Sequence, residues 1–256
     1  MHFRYSWLLA IHELKKIGLL VVALLSGQLF GQQSYFNVPS SEKTPSGSWF
    51  FQEQTNVTSR MVNSNWTLDY GLNHNWELGL NVLQLTNDYA RQQLKGLDRT
   101  ESELRPLVSL NAQKFIALNA HCQLSVAGIA GSDKGINRLQ SNIAYWVFSN
   151  FRFSSKRLKW TSGVYSGNSG FIGTSENVVL SKFAKKVGFH WGYELMISPE
   201  TSLIMDHISG NSNMSMSSIG LACKGDNHWI FSGGVLLPNN HLCQPNGFVI
   251  EFTRAL

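Results

Sequence analysis

Asn65-Trp66-Thr67-Leu68-Asp69-Tyr70-Gly71-Leu72, then Asn73-His74-Asn75, then Trp76-Glu77-Leu78-Gly79-Leu80-Asn81-Val82: this stretch decides how the chain folds. The even positions carry Trp, Leu, Tyr and Leu and, past the break, Trp, Leu, Leu and Val. The odd positions carry Asn, Thr, Asp and Gly, then Glu, Gly and Asn. Successive side chains of a strand point to opposite faces, so each run has one apolar and one polar face. Two such runs joined by a short Asn- and His-containing break read as an antiparallel hairpin.

The same alternation recurs outward from this hairpin. From 187 to 197 one face carries Val187, Phe189, Trp191, Tyr193, Leu195 and Ile197; the other carries Gly188, His190, Gly192, Glu194 and Met196. At the end, Phe248, Ile250 and Phe252 oppose Val249, Glu251 and Thr253. About twelve strands result, ten to fourteen fitting the pattern, near 47–57, 63–72, 75–86, 104–113, 119–130, 139–153, 157–167, 187–197, 201–208, 214–223, 228–237 and 247–255. The fold class is all-β.

Alternation alone fits a soluble sandwich with apolar faces inward or a membrane barrel with them outward. Three features favour an up-and-down transmembrane barrel. The apolar faces are aromatic and long enough for tilted spanning strands of about ten residues. The polar faces are rich in Gly, Asn and Ser, with few of the Lys and Glu of a well-solvated surface. The connections also sort by length. Those near 73–74, 114–118, 154–156, 198–200 and 224–227 are tight, whereas 87–103, 131–138, 168–186 and 238–246 are long. Short turns on one rim and long loops on the other characterise such barrels, and a Greek-key sandwich does not sort its loops this way. Trp49, Trp66, Trp76, Trp160 and Trp229 are expected near strand ends as interfacial belts.

Composition agrees. The 256 residues are 43% hydrophobic, 12% aromatic and only 14% charged, which excludes disorder, and 3 Cys are too few for a disulfide scaffold. The formal charge of +5 is small and scattered, so nucleic acid is not an expected partner. No glycine-rich phosphate loop joins a strand to a helix, so no nucleotide is expected either. Lys15-Lys16, the apolar run 17–25 and the small residues up to Gly31 have the three parts of a secretory signal. The organisation read is a removable leader at 1–31, a periplasmic N-terminal segment at 32–46 and the barrel at 47–256.

Asp69-Tyr70-Gly71-Leu72 with Trp76-Glu77-Leu78-Gly79-Leu80, then Asp206-His207-Ile208-Ser209-Gly210-Asn211, Gly220, Gly233-Gly234, Pro238-Asn239 and Gly247-Phe248-Val249-Ile250-Glu251-Phe252, carry a resemblance. On these stretches the chain resembles the porin-like outer-membrane β-barrels of Gram-negative bacteria, a broad class matched over essentially all of the sequence after the leader. The resemblance implies an outer-membrane location, lipids as the surrounding medium, and recognition of the last strand by the barrel assembly machinery. Those barrels usually end on an aromatic residue, whereas this chain ends on Leu256.

On the polar faces, Asp69, Glu77, Arg152, Lys159, His190, Glu194, Asp206 and Glu251 are expected to line the interior. There they either set the selectivity of a narrow channel for small solutes or pair into a network that plugs it. A third possibility is a non-conducting barrel whose long loops bind partners. His207 and Ser209 lie two apart on an outward face, which resembles the placement of a His and Ser in some outer-membrane lipid hydrolases; where those families supply a polar or acidic group to orient the His, about a dozen residues on, 220–222 offers only Gly, Leu and Ala. No enzyme activity is therefore expected. The histidines show no ligand spacing, so no metal or other cofactor is expected. Cys122, Cys223 and Cys243 are placed too far apart to bridge, and 176–186 reads as a loop with a short helix as the alternative.

Overall fold

The computed structural model describes residues 35–40, 42–88, 93–94, 107–133, 142–172, 187–240 and 244–255. The leader, the 176–186 stretch and Cys243 lie outside these residues. Twelve antiparallel strands form the wall: β1 (Trp49–Thr58), β2 (Met61–Leu72), β3 (Trp76–Asp88), β4 (Leu107–Ala117), β5 (Cys122–Asp133), β6 (Asn142–Ser154), β7 (Leu158–Gly167), β8 (Val187–Met196), β9 (Thr201–Ile208), β10 (Met216–Lys224), β11 (Trp229–Pro238) and β12 (Gly247–Ala255). Each pairs with its sequence neighbour, and β12 returns to β1 from Phe50↔Ala255 to Thr58↔Gly247, closing an up-and-down barrel. Gln93–Leu94 adds a short antiparallel extension to the end of β3. Closure matters because an unpaired strand edge in lipid leaves each backbone group without a partner, at several kcal/mol apiece.

The two faces differ as the alternation requires. Outward side chains are apolar and exposed, Leu110 at 68% and Ile143 at 66% among them, while Asp69, Glu77 and Glu251 inside are nearly inaccessible. An exterior of this kind suits lipid, so this is a transmembrane barrel whose strands do the crossing. At the short-turn rim, Lys114 lies over Trp76 at 5.2 Å and Arg254 over Trp229 at 5.0 Å. Each keeps its charge near the aqueous edge against an aromatic face.

Turn chemistry explains the tight rim. His74 and Asn75 adopt positive φ (58° and 60°), which lets the chain reverse within Asn73–Asn75. Between β4 and β5 the Asn119 side chain accepts the backbone N–H of His121 and of Cys122, both at 2.8 Å, an Asx turn. That turn corrects the sequence reading, which turned the chain near 114–118. Starting after Pro106, β4 runs on to Ala117, with Lys114 opposite Trp76. Trp66 is a second correction. It faces outward in the middle of β2, not at a belt. A bulge kinks β3, where Gln84 has φ 62° and its N–H donates to Asn65 Oδ1 at 2.8 Å. Cys122 and Cys223 are free thiols.

Candidate functional site

The N-terminal segment fills the bore. Read from sequence as periplasmic, residues 35–40 and 42–44 instead run inside the barrel, with Tyr35, Phe36, Val38, Ser40 and Thr44 all buried. The physical reason is the trio Tyr35, Phe36 and Val38. Left in water they would forgo roughly 1.5–3 kcal/mol of burial each, and the inner wall supplies partners for the polar backbone between them.

Those partners come from strands around the ring. Asp206 on β9 accepts the Asn37 backbone N–H at 2.8 Å and its side-chain amide at 3.2 Å, and the Ser218 hydroxyl at 2.6 Å. Asn150 on β6 donates to the Pro39 carbonyl at 2.9 Å, and Gln113 on β4 to that of Ser40 at 3.3 Å. Glu77 on β3 accepts the Thr44 N–H at 2.9 Å, and Thr161 on β7 donates to the Tyr35 hydroxyl at 3.3 Å. Two glycines make room. A Cβ on Gly192 would lie 2.8 Å from the Tyr35 ring, and one on Gly71 would lie 2.1 Å from the Pro45 carbonyl oxygen. At the rim Gly47, with φ +83°, turns the segment into β1, its N–H donating to the Gly71 carbonyl at 2.8 Å.

A charged knot ties the segment to the β6–β8 wall. Lys159 contacts Glu42 at 2.7 Å and Glu194 at 3.0 Å, Arg152 reaches Glu42 at 3.4 Å, and Ser202 donates to Glu194 at 3.0 Å. Half-sunk charges persist in a barrel interior when paired in this way. Asp69 accepts the Asn111 amide at 2.9 Å, and Glu251 is buried on β12. The eight polar-face residues picked from sequence thus all face inward. Arg152, Lys159 and Glu194 meet in one knot, Glu77 and Asp206 grip the segment separately, and His190 sits higher.

The half of the bore toward the long loops is aromatic, which the sequence reading missed. Trp146 stacks on Phe171 at 5.6 Å and packs against Phe148 at 4.8 Å, while His190 stacks on Tyr165 at 6.0 Å and hydrogen-bonds Asn150. Phe171 and Ile172 reach this cluster from α1 (Ser169–Ile172), a single helical turn after β7. The warning was in β6, where Ala144, Trp146 and Phe148 face inward while Tyr145 and Val147 face outward, so both faces are apolar.

On the outer wall, His207 does not meet Ser209. Its Nδ1 is 2.9 Å from the Ser217 hydroxyl, directly across on β10, and its ring stacks on Trp191 at 5.9 Å. The Ser209 hydroxyl accepts the Phe189 N–H at 2.8 Å, and its carbonyl accepts the Tyr165 hydroxyl at 2.6 Å. Among the described residues no group of His, Cys, Asp and Glu is arranged to hold a metal ion.

No protein-family model matches the chain, and no curated protein does. Solved structures do. The KdgM porin in complex with disordered oligogalacturonate superposes with a TM-score of 0.52 at 8% identity, covering 80% of this chain and 98% of that one. An outer membrane channel from Pseudomonas putida gives 0.47 at 11% identity over 88% and 99% of the two chains. Outer membrane phospholipase A from Escherichia coli gives 0.40 at 10% identity over 91% and 94%. At these identities the likeness is one of fold, and the fold shared with the KdgM porin is the transmembrane β-barrel.

Proposed function

We propose that this chain is an outer-membrane channel for small solutes whose bore is filled at rest by its own N-terminal segment, residues 35–46. One observation carries the reading. A closed barrel with an apolar exterior encloses an inner wall of carboxylates, amides and hydroxyls in its short-turn half. A purely structural barrel has no use for so many buried polar groups. Asp69, Glu77, Glu194, Asp206 and Glu251 outnumber Arg152 and Lys159 on that wall, which biases passage toward cations. The run 1–31 is its export leader in a Gram-negative cell, the barrel assembly machinery inserts it, and no cofactor enters the reading.

The test is planar-bilayer recording of the purified protein under a salt gradient. A small, flickering conductance with a cation-selective reversal potential is expected. Silence both from the intact chain and from one lacking the segment would overturn the reading.

A second reading rests on the His207–Ser217 hydrogen bond, which holds the His207 ring in one orientation at 2.9 Å. In it the Ser209 hydroxyl must first leave the Phe189 N–H and turn to the His207 ring; His207 then takes its proton as the oxygen adds to a lipid ester, returns it to the alcohol that departs as the ester C–O bond breaks, and water later frees the acyl group. Lipid cleavage by the intact chain that disappears in Ser209→Ala would establish this reading. Equal lipid turnover, or none, in both chains would remove it.

A further inference from the structure

The outward wall of the strands is mostly apolar, with a few hydroxyls, His207, two rim cations and one acid among the described residues. Glu53 is the fifth residue of the ten in β1 and points outward, opposite Trp66 on β2 and Phe252 on β12. Among the described outward side chains of the strands it is the sole acid. The two outward cations, Lys114 and Arg254, sit near the short-turn rim where they can reach water. A carboxyl at mid-wall has no such escape, and in a bilayer a position of this kind marks a contact with something other than lipid.

The surroundings of Glu53 are organised. Thr55 and Ser64 both donate to its Oε1, at 2.6 and 2.9 Å, and the Trp66 indole N–H donates to Ser64 at 2.9 Å. Both of these bonds go to the one oxygen, and Oε2 takes no hydrogen bond among the described residues. Around this polar centre lie outward aromatics, Phe51 edge-on to Trp66 at 6.3 Å and Phe252 edge-on to Phe231 at 5.4 Å. Polar groups ringed by large aromatics are the make-up of an interface centre.

The same wall carries its own complement. Arg254 lies two residues from Phe252 along β12, opposite Phe51, and has no carboxylate partner among the described residues. Two-fold symmetry about the membrane normal keeps matching residues of two barrels at equal depth, and in such an arrangement residue i of each copy meets residue j of the other. An arginine arm is long enough to cover the small difference in depth between the two positions. We propose that the β12–β1–β2 wall is an interface for a second copy of this chain, each Glu53 receiving the partner copy's Arg254. A different protein seated there would have to bring its own cation to the same depth, whereas a second copy already has one.

The test is oxidative cross-linking in intact outer membranes, in a chain with Cys122, Cys223 and Cys243 replaced by Ser. Leu68→Cys, outward on β2 beside this patch, should give a covalent species of twice the chain mass. Val147→Cys, outward on β6 across the barrel, should stay single. Adding Glu53→Leu to Leu68→Cys should reduce the double-mass species several-fold. Arg254→Glu should do the same, and combining Arg254→Glu with Glu53→Arg should restore it. The faster migration of unboiled samples reports that each variant still closes its barrel. The proposal is overturned by cross-linking at Leu68→Cys no greater than at Val147→Cys. It is equally overturned by indifference to Glu53→Leu in a closed barrel, or by a product whose mass is not that of two chains.

Discussion

Deleting residues 35–44 should raise single-channel conductance several-fold and steady it, while the barrel keeps its faster migration on unboiled gels. The segment occupies the middle of the ring, in contact with β3, β4, β6, β7 and β9. A twelve-strand barrel lies between the eight-strand ones that side chains fill and the wide porins that stay open, so emptying it leaves a water-filled path. Asp206, Asn150, Gln113 and Glu77 lose the partners that the segment supplies, while Asp206 keeps Ser218 and Asn150 keeps His190; water entering the bore replaces what is lost. Stability should therefore fall modestly while transport changes greatly. Conductance unchanged by the deletion would mean that the segment does not obstruct the path.

Lys159→Glu should be the most damaging single change in the bore. It replaces the cation lying between Glu42 at 2.7 Å and Glu194 at 3.0 Å with a third carboxyl. Breaking a buried pair costs about 3–5 kcal/mol, and the side chain's 23% exposure places this case at the lower end or below. Part of the strain is relieved if the segment leaves, so two readouts should move together: a lower thermal unfolding midpoint and a larger, noisier conductance. Adding Glu42→Lys should recover both in part. An unfolding midpoint and conductance equal to those of the unaltered chain would show that the knot does not hold the segment.

Much of the wall was legible because a barrel imposes opposite solvents on alternate residues. β9 was read to the residue as 201–208 because a tight turn at 198–200 and Gly210 bracket it, although its faces, Leu203, Met205 and His207 against Ile204, Asp206 and Ile208, differ little in polarity. β4 slipped because Arg105-Pro106 was taken into its start, although proline has no N–H to give a ladder, and the described strand runs from Leu107 to Ala117. The inward charges were readable from the same alternation. What they touch was not. Ser217 meets His207 through the register of the next strand, which sequence spacing does not give. The filling segment has no period at all, and its one signal was the presence of Tyr35, Phe36 and Val38 in a stretch otherwise made of Asn, Pro, Ser, Thr and charged residues. Glu53 was overlooked for a different reason. A single acid in an alternating run reads as noise until the neighbouring strands place it mid-wall between Trp66 and Phe252.

The turn at Gly47 has a consequence for pharmacology. Because it joins the filling segment covalently to β1, the segment behaves as a tethered ligand that leaves its site without leaving the molecule. Short flexible tethers hold such ligands at effective concentrations of about a millimolar. A free peptide copied from residues 35–46 would therefore need to approach that level to close a channel from which the segment had been deleted, and it would compete poorly in the intact chain. Blockers of moderate affinity would meet the same rival, and their potency would depend on how firmly Glu42 is held.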